Sequence, residues 1–113
     1  MKLVCDRDVI LVKRWYSAFT ETPLNAILET RGVDRVAVCG LVTNVCVQAT
    51  AVDAFHLGHE VVLLTDACAA SSARLHDKGM LDLKPYVRLA ESCNLVERFP
   101  ILPVRQRASG RMQ

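Results

Sequence analysis

The sequence lacks the features that mark several specialised classes of protein. Its longest apolar runs, such as residues 36–39 and 61–64, are strand-sized and far below the roughly 18 residues that cross a bilayer. The five cysteines are an odd number without a CxxC pair, which argues against a disulfide framework or a zinc knuckle and favours a reducing compartment. Charged side chains within residues 1–10 fit no signal peptide, so we expect a cytoplasmic protein with no membrane partner.

Two further kinds of partner lack support in the charge and glycine patterns. Fourteen basic and twelve acidic side chains give a net charge of +2 without a basic stripe, so we expect no nucleic-acid partner. Neither GxGxxG nor GxxxxGK[ST] occurs, so nucleotide binding lacks its usual signals.

The composition that remains is that of one globular domain. A chain of 113 residues with 51% apolar side chains can form a single core, which we place in residues 1–103, before a polar tail at 104–113. Short β-branched runs alternate with helical patterns, which is typical of βαβ units. We therefore predict an α/β fold with a mainly parallel sheet.

The local patterns also predict where the elements lie. Strands are predicted at residues 9–12, 36–39 and 61–64. Capping and turn residues predict helices from Thr22-Pro23 to Gly32, from Asn44 to Gly58, and from Ser71 or Ser72 to Leu83. Residues 86–97 are ambiguous, and we interpret them as a short helix followed by a strand at 95–96.

Ligands bind beyond the carboxyl ends of the strands in open α/β sheets, where Lys13 and Cys46 are expected. Cys46 falls in the first turn of a helix, where free N–H groups and the helix dipole favour a thiolate and stabilise an oxyanion. The alternative is a small buried residue packed under the helix. Lys13 ends the first predicted strand and points to the same rim, or else reaches solvent as an ordinary lysine.

Three of the six aromatic side chains, Trp15, Tyr16 and Phe19, lie within five positions of one another. Beside a strand end they line a small-molecule pocket, or alternatively pack in the core or at a subunit interface.

Other candidate side chains favour structural roles. His56 and His59 are expected in a solvated helix end, where they complement the helix dipole, and one histidine pair is too weak a signal for a metal site. Asp66 is expected in a turn or cap role. Cys39 and Cys68 are expected to be buried.

Two motifs resemble the isochorismatase-like cysteine hydrolase superfamily. They are K-x-x-Y-S-A-F at residues 13–19 and G-x-x-T-N-x-C-V at residues 40–47, and the match runs in register over about residues 8–70. The resemblance implies a three-layer α/β/α, Rossmann-like fold. It also implies an Asp–Lys–Cys triad, in which Cys46 matches the nucleophile and Lys13 the lysine.

The resemblance further implies an oxyanion hole and a reaction. A cis peptide bond at Val42–Thr43 aims the Thr43 N–H beside that of Cys46. The thiolate attacks an amide-type carbonyl, the amine leaves, and the thioester is hydrolysed. Members that cleave isochorismate lack the cysteine, so Cys46 points to nicotinamide-like, carbamoyl or ureido-acid substrates, without a cofactor. The implied pocket residues are Trp15, Tyr16, Phe19 and Val42.

The sequence departs from the family at its beginning. The triad aspartate of the family lies on a strand well before the lysine, and neither Asp6 nor Asp8 matches that position. In the family's strand order, 3-2-1-4-5-6, the first two strands would be absent here. We therefore expect a truncated domain with impaired activity in isolation, or a fragment of a larger hydrolase. The family's metal site draws on the same part, so we predict no metal.

Two alternatives to a hydrolase follow from the same residues. An open strand edge would make the chain a non-catalytic assembly module, and a homo-oligomer is expected in either case. A nucleotide-binding half-domain is supported by the βαβ pattern alone, and fold does not give function.

Overall fold

A computed structural model describes residues 8–94 of the chain. The elements in chain order are α1 (Leu24–Thr30), β1 (Arg35–Leu41), a π-helical turn (Thr43–Val47), α2 (Gln48–His56), β2 (Glu60–Ala69), α3 (Ala73–Leu83) and β3 (Arg88–Ala90). The strands form one sheet in the order β1-β2-β3, and both pairings are parallel. The predicted α/β class and parallel sheet are confirmed. No helix in this part of the chain has the length and apolarity to span a membrane.

The ends of the helices follow the residues that predicted them. Gly32 and Gly58 adopt φ angles of 67° and 94° just beyond α1 and α2. A side chain with a Cβ atom is strained in that left-handed region, which is why glycine ends helices there. At the start of α3, the Ser72 hydroxyl accepts the N–H of Leu75 at 3.2 Å.

The core lies on one face of the sheet. Val61 and Leu63 of β2 point into it, and the π-helical turn and all three α-helices contribute the buried residues Leu24, Leu28, Val47, Ala51, Ala54, Met80 and Leu83. Each such side chain stabilises the fold by about 1.5–3 kcal/mol when it is a fully buried Leu, Val or Met.

The opposite face of the sheet carries a smaller cluster. Because side chains alternate along a strand, Val62 and Leu64 point away from the main core and pack with Ala90. Within residues 8–94, no helix contributes a buried residue to this cluster. The described elements therefore form two of the three predicted layers.

Two predicted elements differ from the structure. Residues 9–12 form neither strand nor helix, and Ile10 and Val12 are 73% and 87% exposed. β-branched residues form a strand only where a neighbouring strand accepts their backbone hydrogen bonds, and no described strand pairs with this segment. Residues 88–90 form β3 rather than a helix because they pair with β2. The predicted strand at 95–96 and the tail at 104–113 lie outside the described residues.

Strand β2 is longer than predicted and carries a bulge. Val38 of β1 pairs with Leu63 of β2, and the next paired residues are Gly40 and Cys68. An advance of two residues along β1 therefore corresponds to five residues along β2. Thr65 and Asp66, predicted to follow the strand, lie in this extra length. The bulge restores pairing at the carboxyl end of β1, next to the π-helical turn.

Candidate active site

Cys46 lies on the π-helical turn directly beyond β1. The turn closes around the carbonyl of Val42, which accepts the N–H of Val45 at 3.1 Å and of Val47 at 3.2 Å. The N–H of Cys46 lies between these two donors in sequence and makes no backbone bond to Val42 in the described structure. The turn continues into α2, and the Cys46 side chain is half-buried. The predicted placement of Cys46, in the first turn of a helix that follows a strand, agrees with the structure.

The cis peptide bond precedes the position that the resemblance implies. It joins Leu41 to Val42, not Val42 to Thr43. Val42 is extended, with φ −102° and ψ 151°, and Thr43 is already the first residue of the helical turn. The expected position of the cis bond was therefore wrong by one bond.

Thr43 is fully buried under α3. Its hydroxyl oxygen lies 2.7 Å from Nδ1 of His76, and its methyl group faces Gly79. The turn is thus packed between the sheet, α2 and α3, and Thr43 supplies its contacts with His76 and Gly79 of α3.

The segment of residues 13–22 packs against the start of α2. The N–H of Ala18 donates to the Thr50 hydroxyl at 3.0 Å, and Thr50 follows Cys46 by four residues, or about one helical turn. Thr22 donates to the carbonyl of Ala18, which folds the segment back on itself. This contact places the segment beside the helix that carries Cys46.

Lys13 is exposed and hydrogen-bonds within its own segment. Its ammonium group donates to the carbonyls of Trp15 at 3.1 Å and Tyr16 at 3.3 Å. Within the described residues it forms no hydrogen bond to Cys46. Since residues 9–12 form no strand, Lys13 is not held at a strand end as predicted.

A family model for the isochorismatase domain matches residues 3–92, most of the chain. The chain belongs to the isochorismatase family.

Several family members are similar in sequence. The uncharacterized isochorismatase family protein YecD of Escherichia coli O157:H7 is 37% identical over 87 residues, which are 77% of this chain and 46% of YecD. The ureidoacrylate amidohydrolase RutB of Acinetobacter baylyi is 36% identical over 71% of this chain and 33% of RutB. Nicotinamidase 3 of Arabidopsis thaliana is 41% identical over 67% of this chain and 38% of that protein.

A solved isochorismatase-like hydrolase from Alkaliphilus metalliredigens shares the fold. It superposes with a TM-score of 0.82 and 30% identity over 85% of this chain and 53% of that chain. The chain therefore spans about half the length of this structure, and less than half of the relatives in sequence.

The three aromatic side chains that the resemblance places in the pocket have different surroundings in this structure. Trp15 and Tyr16 are 53% and 66% exposed, and the Trp15 indole N–H donates to Glu21 at 2.8 Å. Phe19 instead packs on the core and stacks on His59 with ring centroids 6.1 Å apart. The core alternative holds for Phe19, whereas Trp15, Tyr16 and the half-buried Val42 remain candidates for substrate contact.

Other predicted polar residues have mixed outcomes. His59 is buried, not solvated, because Phe19 covers its ring and its Nε2–H donates to the Asn25 amide oxygen at 2.9 Å. Asp66 accepts the backbone N–H and hydroxyl of Ser92 at 2.8 and 2.6 Å, as a cap does, and these bonds lower its pKa.

The cysteines beside β1 and β2 also differ from expectation. Cys39 is exposed because it lies on the face of β1 that no described helix covers. Cys68 is half-buried, and this burial raises the pKa of its thiol. Within residues 8–94, no group of three His, Cys, Asp or Glu side chains is placed to hold a metal ion.

An open groove at the other end of the sheet is separate from this site. Phe55, His59, Tyr86 and Arg88 line it at the starts of β2 and β3. Because the strands are parallel, their starts lie opposite the edge that carries Cys46.

Sequence reasoning missed His76 and Gly79, which contact the turn from α3. A signal was present, because a glycine inside a helical pattern costs stability and has a packing reason where it occurs. The partner of that glycine could not be read from the pattern.

Proposed function

We propose that this chain carries the cysteine nucleophile of an isochorismatase-family amidohydrolase, which cleaves a small amide-type C–N bond through a thioester at Cys46. The observation that carries the proposal is the position of Cys46, half-buried on the first helical turn beyond β1. Two relatives, named as a nicotinamidase and a ureidoacrylate amidohydrolase, support an amide-type substrate.

The proposed chemistry has two stages. The Cys46 sulfur attacks the carbonyl carbon, and the electron pair moves onto the carbonyl oxygen, where the N–H groups of Thr43 and Cys46 stabilise the negative charge. The carbon–nitrogen bond then breaks, the nitrogen takes up the thiol proton and leaves as the amine, and a thioester remains. Water adds to the thioester, which releases the carboxylic acid and restores the thiol.

The described residues do not supply a group that takes the proton from the Cys46 thiol. The resemblance assigns this step to an aspartate on a strand before the lysine, and no such strand occurs within residues 8–94. The Lys13 ammonium group bonds to carbonyls of its own segment instead of the thiol. Losing one member of such a triad typically costs several orders of magnitude in rate. We therefore expect slow turnover of nicotinamide or ureidoacrylate by this chain alone.

Thiol reactivity tests the proposal without requiring turnover. The full chain is treated with iodoacetamide at pH 7, and alkylation of each cysteine is followed by peptide mass spectrometry. Cys39 and Cys93 are the references, because their thiols are exposed to the reagent. We expect Cys46 to react at least about tenfold faster than either, although it is half-buried, since a thiolate is the reactive form. Equal rates would contradict an activated nucleophile.

Product formation is the second test. Ammonia release from nicotinamide is measured for the wild-type chain, for Cys46→Ala and for the exposed-site control Cys39→Ser. Ammonia release that Cys46→Ala abolishes and Cys39→Ser retains would support the mechanism. Turnover that survives Cys46→Ala would exclude it.

A second candidate function, assembly through β1, has its own observation. Among the described strands β1 pairs only with β2, so it stands at an edge of the described sheet, where strand pairing with a second copy is favoured. Light scattering on the purified chain tests this. We expect an oligomer that Cys39→Lys on β1 weakens, because lysine on an edge opposes pairing, while Cys93→Lys does not. A stable monomer would remove the basis for this function.

A further inference from the structure

Helix α3 contacts the Cys46 turn through a hydrogen bond. The Thr43 hydroxyl is fully buried and lies 2.7 Å from Nδ1 of the half-buried His76. A hydroxyl both donates and accepts, so this bond forms with either tautomer of the neutral imidazole. Without His76, the Thr43 hydroxyl would be a buried polar group without its partner.

A second contact lies one helical turn further along α3. A Cβ atom built on Gly79 would stand 3.0 Å from the Thr43 methyl carbon and 3.3 Å from the Asn44 Cα atom. Gly79 follows His76 by three residues, so both lie on the same face of α3. The helix backbone therefore approaches the turn closely at the residue that begins it.

We propose that His76 is a positioning residue that, through the Thr43 hydroxyl, fixes the backbone N–H groups of the Cys46 turn toward the attacked carbonyl. The assignment of those N–H groups as oxyanion donors rests on the proposed function. Thr43 is the first residue of the turn and supplies one of the two N–H donors. Cys46, three residues later, supplies the second. Rotation of the Thr43 side chain is opposed by the hydrogen bond from its hydroxyl to His76 and by the close approach of Gly79 to its methyl group.

Two chemical probes separate positioning from simple stability. Acylation of Cys46 by p-nitrophenyl acetate forms an oxyanion, whereas alkylation by iodoacetamide displaces iodide at a saturated carbon and forms none. For His76→Leu in the full chain we expect acylation to slow about tenfold and alkylation to change less than about twofold, as loss of an oriented oxyanion donor predicts. His76→Asn retains a polar atom near the Nδ1 position and restores most of the acylation rate.

The controls use neighbouring positions. Asp77→Ala changes an exposed residue of the same helix and leaves both rates unchanged. Thr43→Val removes the hydroxyl with little change of shape, and adding His76→Leu to it slows acylation no further, because His76 acts only through that hydroxyl. Equal slowing of acylation and alkylation, or no slowing, would overturn the positioning role.

Hydrogen exchange supplies a readout independent of chemistry. In His76→Leu, the amides of Val45 and Val47, which donate to the Val42 carbonyl, exchange about tenfold faster than in the wild type, while those of residues 51–54 are unchanged. Unchanged exchange at Val45 and Val47 would overturn the proposal whatever the kinetics show. If the wild type is not acylated at Cys46 while exchange responds as expected, the proposed function fails and the contact between α3 and the turn stands.

Discussion

Replacing Gly79 with alanine tests the packing of α3 against the Cys46 turn. In an exposed helix interior, alanine is more favourable than glycine by about 0.5–1 kcal/mol. At this position the new methyl group would stand 3.0 Å from the Thr43 methyl carbon and 3.3 Å from the Asn44 Cα atom. The sign of the effect depends on whether those atoms can move.

The structure indicates that neither atom can yield at low cost. The Thr43 side chain has its hydroxyl bonded to His76 at 2.7 Å, so turning the methyl group away breaks that bond. The Asn44 atom belongs to the backbone of the turn. Overpacking of this kind typically costs about 1–3 kcal/mol, which exceeds the gain in helix propensity. We expect Gly79→Ala to lower the free energy of unfolding by about 1 kcal/mol, or the melting temperature by about 4–8 °C.

Urea unfolding of the full chain measures this effect, with Asp77→Ala as the control for helix propensity alone. Combining Gly79→Ala with Thr43→Ser removes the obstructing methyl group and keeps the hydroxyl bonded to His76. In the Thr43→Ser background, Gly79→Ala should then lower the free energy of unfolding by at most half as much as it does in the wild-type background. If Gly79→Ala by itself stabilises the protein, the turn is not packed tightly against α3 and the reasoning is refuted.

Three other changes test separate contacts. Thr50→Val leaves the Ala18 N–H without its acceptor and should destabilise the chain by about 1–2 kcal/mol, with faster amide exchange at Ala18. The bonds from Ser92 hold the pKa of the Asp66 carboxyl below its ordinary 3.8, so the ionised carboxylate stabilises the fold and Asp66→Asn should remove that stabilisation. In unfolding measured against pH, the difference from wild type should be present above pH 3.8 and vanish as the pH falls through the lowered pKa. Cys68 should be alkylated more slowly at pH 8 than the exposed cysteines, because burial raises the pKa of its thiol, and mass spectrometry measures both.

The parts of the fold that sequence predicts are those set by local chemistry. Gly32 and Gly58 end their helices because their backbone conformations disfavour other residues, and Ser72 caps α3 through its own hydroxyl. Strands depend on a neighbour instead. Residues 9–12 have the composition of a strand and form none in the described structure, whereas residues 88–90, without a clear pattern, pair with β2. Pairing is a property of the whole fold and cannot be read from one segment.

The candidate site divides in the same way. The place of Cys46 follows from a strand, a loop and a helix that are consecutive in sequence. The burial of His59 and the contact of His76 with Thr43 join residues more than 30 positions apart, so no short motif predicts them. The family resemblance predicted the cis peptide bond one position beyond the bond between Leu41 and Val42 where it lies. A shared sequence motif identifies the loop but does not fix the geometry of each peptide bond in it.

The two halves of the proposed site have different structural support, and this has a consequence for its chemistry. The Cys46 turn is enclosed by β1, α2 and α3, so its geometry depends on contacts among elements that the structure describes. In the Lys13 segment, the ammonium group donates to carbonyl groups of the segment itself. The segment is joined to the helix that follows Cys46 by the hydrogen bond from the Ala18 N–H to the Thr50 hydroxyl. Loss of that bond should therefore loosen the segment and leave the turn ordered. The residues that would take part in the proposed reaction are therefore held differently: the Cys46 turn by neighbouring elements, and the Lys13 ammonium group by its own segment.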